Sequence, residues 1–269
     1  MILCAGDAVA NEVVQGELGW WTVRGRLDFL RLMYYAKLAT EESDLIRGVF
    51  ESCRNRAEHG QKNTWCAYTR KLMVELGLEL EWMTGAVGER GEWRKRIWAC
   101  IQDREERRWR RGMVGKTTLV RYQRIKKRLR REKFLKIDGW AVKRLIRLRG
   151  GVERLEVVRG RRFRIRRQDR KCLVCCAGNV EDEDHFIEGC TALIEQRSRM
   201  WRRIEDVMKC RHKIGRIRAM TEEERVDWVL GTDFDVGHWK FAQLQKAVIQ
   251  GIKELWNGRG RTGLVDATM

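Results

Sequence analysis

Four side chains between Cys172 and Cys190 constrain this chain more than any other feature. They lie in Cys172-Leu-Val-Cys175-Cys-Ala-Gly-Asn-Val-Glu-Asp-Glu-Asp-His185-Phe-Ile-Glu-Gly-Cys190. Two thiolates separated by two residues can grip one ion from a tight turn. A histidine and a cysteine five apart can close the tetrahedron from a turn leading into a helix. Soft nitrogen and sulfur donors in a closed set of four predict a structural zinc site with no position left for water. Cys176 competes with Cys175, but its spacing to Cys172 is less usual, so it is read as a spare thiol. The alternative is a set of ordinary buried cysteines and a surface histidine; against it, all four donors fall within 19 residues at finger-like spacing. The nine cysteines are odd in number and otherwise scattered, which argues against a disulfide framework. Zinc would supply much of the local folding free energy, since apparent binding energies in finger peptides are about 10–16 kcal/mol. The acidic run Glu181 to Asp184 is placed at the start of the following helix, where carboxylates favour the dipole, and is not counted among the ligands.

The formal charge of +19 is concentrated. Residues 101–171 hold 28 Lys and Arg against 8 Asp and Glu, while the remainder is nearly neutral, with 29 against 30. Such a local excess is the electrostatic footprint of a polyanion, because each cation placed near a phosphate releases a condensed counterion. A solvated helix face is the plainer reading of a short charge run, but this imbalance is large and localised. A membrane surface fits less well, because the segment is broken into several elements with modest apolar stripes. The expected nucleic-acid contacts are Arg124, Lys126, Lys127, Arg128, Arg130 and Arg131 on one helix. Arg161, Arg162, Arg164, Arg166 and Arg167 form a second group beside the cysteines. Trp109, Tyr122, Trp140 and Phe163 interleave with these charges. They are read either as core residues at helical spacing or as stacking partners for unpaired bases.

The chain contains no proline, where roughly 5% usage would give about 13. Glycine, charge and hydrophobic period must therefore divide it. Leu27, Leu30, Tyr34 and Leu38 fall at helical spacing, as do Leu45, Val49 and Cys53, then Trp65, Tyr68, Leu72 and Leu76. A charged helix is expected from Trp93 to about Arg110, a second from near Thr117 through Leu129, and a third through Ile137, Ala141, Leu145 and Leu148. From Val152 to Arg167, Leu155, Val157, Phe163 and Ile165 alternate with polar residues around Gly160, which predicts a short β-hairpin. Helical spacing returns through Leu193, Arg197, Trp201, Ile204 and Met208, and again from Trp239 to Trp256. The expected fold is therefore mainly α: a helical array with a short β-hairpin and a zinc-binding CCHC segment. Its expected regions are residues 1–100, 101–171, 172–210 and 211–269. No apolar run approaches the ~18 residues of a membrane span and no secretory leader is evident, so an intracellular protein of nucleus or cytoplasm is expected. The tract from Lys126 to Lys133 also has the composition of a nuclear import signal.

The Cys-x2-Cys pair, the acidic stretch, His185-Phe186 and Cys190 resemble the zinc-binding region at the C-terminal end of non-LTR (LINE-type) retrotransposon reverse transcriptases. Further likeness lies in Gly19-Trp20-Trp21 with the Arg26 to Leu38 helix, Trp109 to Tyr122, Leu145 to Gly150 and Arg159 to Arg162, so it covers roughly residues 16 to 256. The resemblance implies that Cys172, Cys175, His185 and Cys190 are the ligands. It also implies that the region helps hold RNA or DNA while a separate reverse transcriptase domain acts. That family usually has proline after the first and last cysteines, where this chain has Leu173 and Thr191; proline would stiffen the turn by fixing φ. All proline codons begin with two cytidines, so a cytidine-poor coding strand accounts for their loss without reference to fold.

A polymerase needs carboxylates that hold two metal ions, and no Asp-Asp dipeptide behind an aromatic residue occurs. Asp233 and Asp235 read as a loop pair. The Pro-Asp motif typical of the endonuclease in some retroelements is excluded by the absence of proline. Gly112 to Thr118 resembles the end of a phosphate-binding loop, but Arg110 stands where the first glycine belongs, and the charged run before it cannot be a buried strand. No enzyme is expected. The rival reading is a helical protein-interaction module or an inert retroelement remnant.

Overall fold

The computed structural model describes residues 9–137, 139–209, 211–231, 234 and 238–261. In chain order its helices are α1 (Asn11–Leu18), α2 (Val23–Ala39), α3 (Asp44–Glu58), α4 (Trp65–Glu75), α5 (Glu79–Thr84), α6 (Arg90–Met113) and α7 (Val120–Ile125). They continue with α8 (Trp140–Arg149), α9 (Glu156–Arg162), α10 (Ile194–Met208), α11 (Arg211–Arg218), α12 (Glu222–Leu230) and α13 (His238–Arg261). The mainly helical expectation holds. No helix among the described residues is long and apolar enough to cross a membrane. Asp233 and Asp235 lie outside the described residues.

The β-hairpin is not formed. Residues expected to be its first strand are helix α9, and among the described residues the one β-bridge outside named strands joins Lys171 to Val180. Gly160, read as the hairpin turn, is instead small for a packing reason: a Cβ there would stand 2.6 Å from Cγ of Arg170. The helix expected from Thr117 to Leu129 is also shorter, stopping at Ile125 where Lys126 becomes extended. Its stripe is nevertheless buried at Leu119, Tyr122, Ile125 and Leu129.

The chain divides into two compact units, residues 20–111 and residues 1–19 with 112–269. The boundary expected at residue 100 thus falls inside α6. In the 20–111 unit, the core is built on Tyr35. Its ring stacks on Trp82 at 5.6 Å and meets Phe50 edge-on at 5.6 Å, while its hydroxyl donates to the Glu81 carbonyl at 3.0 Å. Trp93, also buried, donates its indole N–H to the Leu32 carbonyl at 3.1 Å. The start of α2 is fixed to α6 by Glu105, which accepts from both the backbone N–H and the hydroxyl of the N-cap Thr22 at 2.8 and 2.7 Å. Gly25 permits that approach, since a Cβ would lie 2.6 Å from the Glu105 carboxyl carbon.

The other unit gathers α1 and α7–α13. Its long helix α13 packs most extensively on α10, and at the crossing a Cβ on Gly251 would stand 2.2 Å from Met200 Cγ. Its interior carries charge. Arg149 is fully buried, donates to Glu17 at 2.9 Å and to the Leu230 carbonyl, and lies 3.5 Å from Glu132. Burial pushes the Glu17 carboxyl up, against the pull of Arg149.

Candidate metal centre

The Lys171–Val180 bridge and a hydrogen bond from the Cys172 N–H to the Asn179 carbonyl at 2.8 Å close a tight loop around the first two cysteines. Closing it requires positive φ at Cys176 (53°) and Gly178 (77°). Asp182 then starts the next turn, its carboxylate accepting from the His185 N–H at 3.1 Å. His185–Gly189 forms a single π-helical turn, closed by the Cys190 N–H donating to the His185 carbonyl at 2.6 Å. Such a turn aims the side chains of both residues at one point from sequence spacing five.

Cys172, Cys175, His185 and Cys190 converge there, with one donor atom from each lying within 4.8 Å of the others, close enough to hold one metal ion. The Cys172 and Cys190 sulfurs are 4.0 Å apart, and Cys175 Sγ is 3.3 Å from His185 Nε2. A tetrahedral ion with sulfur at 2.3 Å and nitrogen near 2.1 Å needs edges of about 3.8 Å between sulfurs and about 3.6 Å between sulfur and nitrogen. These two spacings lie within a few tenths of an ångström of that demand, and sulfurs 4.0 Å apart are far too distant for a disulfide. The Nδ1 side of the ring is backed by Gly189, where a Cβ would stand 3.2 Å from Nδ1, so Nε2 is the nitrogen that faces the sulfurs. Cys176 is exposed, and its thiol turns back to the Leu173 carbonyl at 3.7 Å.

Burial, then the neighbouring Cys172 sulfur, pushes the Cys190 thiol up to about 12. Burial raises Cys172 as well, whereas hydrogen bonds from the Ala177 backbone and the adjacent thiols outweigh burial at Cys175 and lower it. Desolvation lowers His185, which favours the neutral imidazole that a metal requires. Two of the three thiols therefore resist ionisation until a cation arrives, and a cation deprotonates a coordinating thiol outright. Neither a family model nor any curated protein or solved structure matches the chain.

The supports of this cluster come from distant sequence. Buried Glu181 forms a bidentate pair with Arg259 of α13, at 2.7 and 3.0 Å, and also accepts from the Glu156 N–H at the start of α9 at 2.8 Å. Arg197 of α10 donates to the carbonyls of Ile187 and Cys190 at 2.9 and 2.5 Å. Trp201 and Arg225 hold Glu188 at 2.8 and 3.2 Å. Asp184 pairs with Arg121 at 2.5 Å. The acidic run is thus a set of separate clamps, and the sequence carries no local signal for partners as far apart as Glu181 and Arg259.

The structure sorts the expected cationic contacts into three groups. Lys126 is not available to a ligand: it is 6% exposed and donates to Glu132 and to the Arg130 carbonyl. Its neighbour six residues on neutralises it, which a charge count cannot show. Arg124 is engaged by Glu223 at 2.5 Å and Asp227 at 3.0 Å, and Arg167 by Asp182 at 2.8 Å. Lys127 is exposed, as are Arg128, Arg130, Arg131, Arg161, Arg162, Arg164 and Arg166. Among the interleaved aromatics, Trp109 and Tyr122 are core residues, while Trp140 and Phe163 are exposed. Lys116 pairs with Glu12 at 2.7 Å, and α6, not a strand, precedes its turn.

Proposed function

We propose that this chain is a zinc-binding, nucleic-acid-binding region akin to the C-terminal part of a non-LTR retrotransposon reverse transcriptase, without a polymerase or endonuclease centre of its own. The observation that carries this reading is the junction of a Cys3His cluster with an arginine-rich rim. Glu181 ties the start of α9 to the cluster, and α9 ends in the exposed Arg161 and Arg162. Zinc suits the donor set because soft thiolates and one imidazole in a tetrahedral array leave no open position, so the ion is structural. The partner is RNA or DNA, and in an intact element a reverse transcriptase domain.

The test is fluorescence anisotropy with labelled RNA and DNA across a salt series. Each neutralised phosphate contributes a slope of roughly −0.9 for duplex DNA and −0.7 for single strands in the plot of log affinity against log salt. A steep fall in affinity is expected; a flat or absent response would remove the nucleic-acid reading. Elemental analysis should return one zinc per chain, lost in the Cys172→Ser, Cys190→Ser double variant.

One observation favours a second reading, a protein-interaction module. In the 20–111 unit, Tyr34, Leu45, Ile46, Val49 and Trp65 line a cavity of about 480 Å³ between α2, α3 and α4. Leu27 and Leu30 add exposed apolar surface on α2. Salt-independent capture of a protein partner, abolished by Val49→Glu, would support it.

A further inference from the structure

We infer that Phe163 is a stacking platform for an unpaired base, so that the arginine-rich rim beside the metal centre selects single-stranded over duplex nucleic acid. This rests on the nucleic-acid reading above and adds the substrate class to it. Phe163 is 74% exposed, among the most exposed large hydrophobic side chains of the described residues, and it ends α9 as the C-cap. The ring is therefore open to solvent rather than packed in the core.

The ring is presented on a fixed loop. Immediately after it Arg164 takes a left-handed φ of 55°, a conformation that disfavours side chains other than glycine and concentrates at functional positions. The loop is locked from beneath by Arg170, whose guanidinium donates twice to the Ile165 carbonyl, at 3.0 and 2.7 Å, and once to the Val157 carbonyl at 2.8 Å. The Ile165 N–H closes onto the Gly160 carbonyl at 2.9 Å. Arg170 immediately precedes Lys171 of the bridge that closes the cysteine loop, so the platform and the cluster share one hydrogen-bonded base. Beside Phe163 in sequence, Arg161, Arg162, Arg164 and Arg166 are exposed.

An aromatic face flanked by cations is what a single strand requires: the cations track the phosphates and the ring stacks on a base. In a duplex the base faces are covered by their neighbours, so only the phosphate contacts remain. The geometry therefore separates two contributions, a charge contribution common to both forms and a stacking contribution open only to the single strand.

The experiment uses the full zinc-loaded chain, a labelled 15-nucleotide single strand as DNA and as RNA, and the matching DNA duplex, each in a salt series. Phe163→Ala is expected to weaken both single strands by about 5- to 150-fold, the range seen for loss of one stacking aromatic. Duplex affinity should stay within about twofold and the salt slope should not change. Phe163→Trp should restore single-strand binding. Arg161→Gln with Arg162→Gln should weaken all three ligands and flatten the slope. Phe163 is exposed, so unchanged zinc content and circular dichroism are expected for its variants. Equal losses on single strand and duplex, no loss on either, or failure of tryptophan to rescue would overturn the platform while leaving salt-dependent binding in place. If the wild type binds no nucleic acid, the parent reading and the platform both fall.

Discussion

The two units of this chain meet the burial problem with different balances of ring and charge. The 20–111 unit is held by large rings: Tyr35 lies against Phe50, Trp82 and Trp93, and the Tyr35 hydroxyl and Trp93 indole N–H donate to backbone carbonyls, while the Trp82 indole N–H is buried without a hydrogen-bond partner among the described residues. The other unit buries more charge. Arg149, Glu17, Glu132 and Lys126 sit in its interior, and three thiols and an imidazole converge in a segment with few apolar residues of its own. Aromatic burial is favourable as it stands, at about 1.5–3 kcal/mol per large apolar side chain. Buried charge is tolerated only while every partner is present. The first unit therefore leans chiefly on its rings, with Asp28 and Glu105 buried beside Arg104, whereas the second depends on a larger charge network and, by the reading proposed above, a metal ion.

The largest expected effect is on metal removal. Chelation should cost the 112–269 segment a free energy on the scale of zinc-finger binding, about 10–16 kcal/mol in apparent terms. Hydrogen exchange should show protection lost first between Lys171 and Cys190, then at the start of α9 and the end of α13, which meet at Glu181. Peptides from α2 to α5 should keep their protection. If they lose it in step with the cluster, the contrast between the units is broken.

The second effect is smaller and probes the charge network directly. Arg149→Met removes the cation that faces Glu17 and Glu132 and leaves buried carboxylates uncompensated, at a cost of about 3–5 kcal/mol. Adding Glu17→Leu should recover most of that loss, because an apolar pair of similar volume replaces the ion pair without desolvation. Chemical denaturation of the two variants decides the matter: if Arg149→Met alone is neutral, the interior of this unit is not held by its charges.

Much of this difference was hidden in the sequence, for reasons that particular residues make plain. The Cys3His cluster was legible because its four donors are close together and their spacing alone defines the turn. Helix α2 was legible as a helix, but not the direction it faces. Leu27, Leu30 and Tyr34 share a helical stripe, yet Leu32, Tyr35 and Ala36 are the residues that enter the core, and the stripe is left exposed. Both faces are apolar, so periodicity could not choose between them. The alternation from Leu155 to Ile165 suggested strands because Gly160 resembled a turn, and the reason for that glycine lies ten residues away in Arg170. A tract of cations does not reveal that Lys126 is the member that turns inward to meet Glu132. Long-range clamps such as Glu181 with Arg259 leave no local mark at all.

The smallest expected effect compares one left-handed residue in each unit. Cys176 in the metal loop has φ of 53°, and Asn63 before α4 has φ of 61°. A left-handed residue other than glycine costs about 1–2 kcal/mol, with asparagine tolerating it better because its side chain bonds locally. Glycine relieves that strain but loses about 0.5–1 kcal/mol through the greater freedom of the unfolded chain. Cys176→Gly should therefore tighten metal binding by up to about 1 kcal/mol, roughly two- to fivefold in competition with a chelating dye, with one ion per chain retained. Asn63→Gly should change stability by no more than a few tenths of a kcal/mol, because asparagine carries little of the strain. The cysteine variant also tests the ligand set: its thiol points back to Leu173, so loss of the ion on Cys176→Gly would place Cys176 among the ligands and displace Cys175.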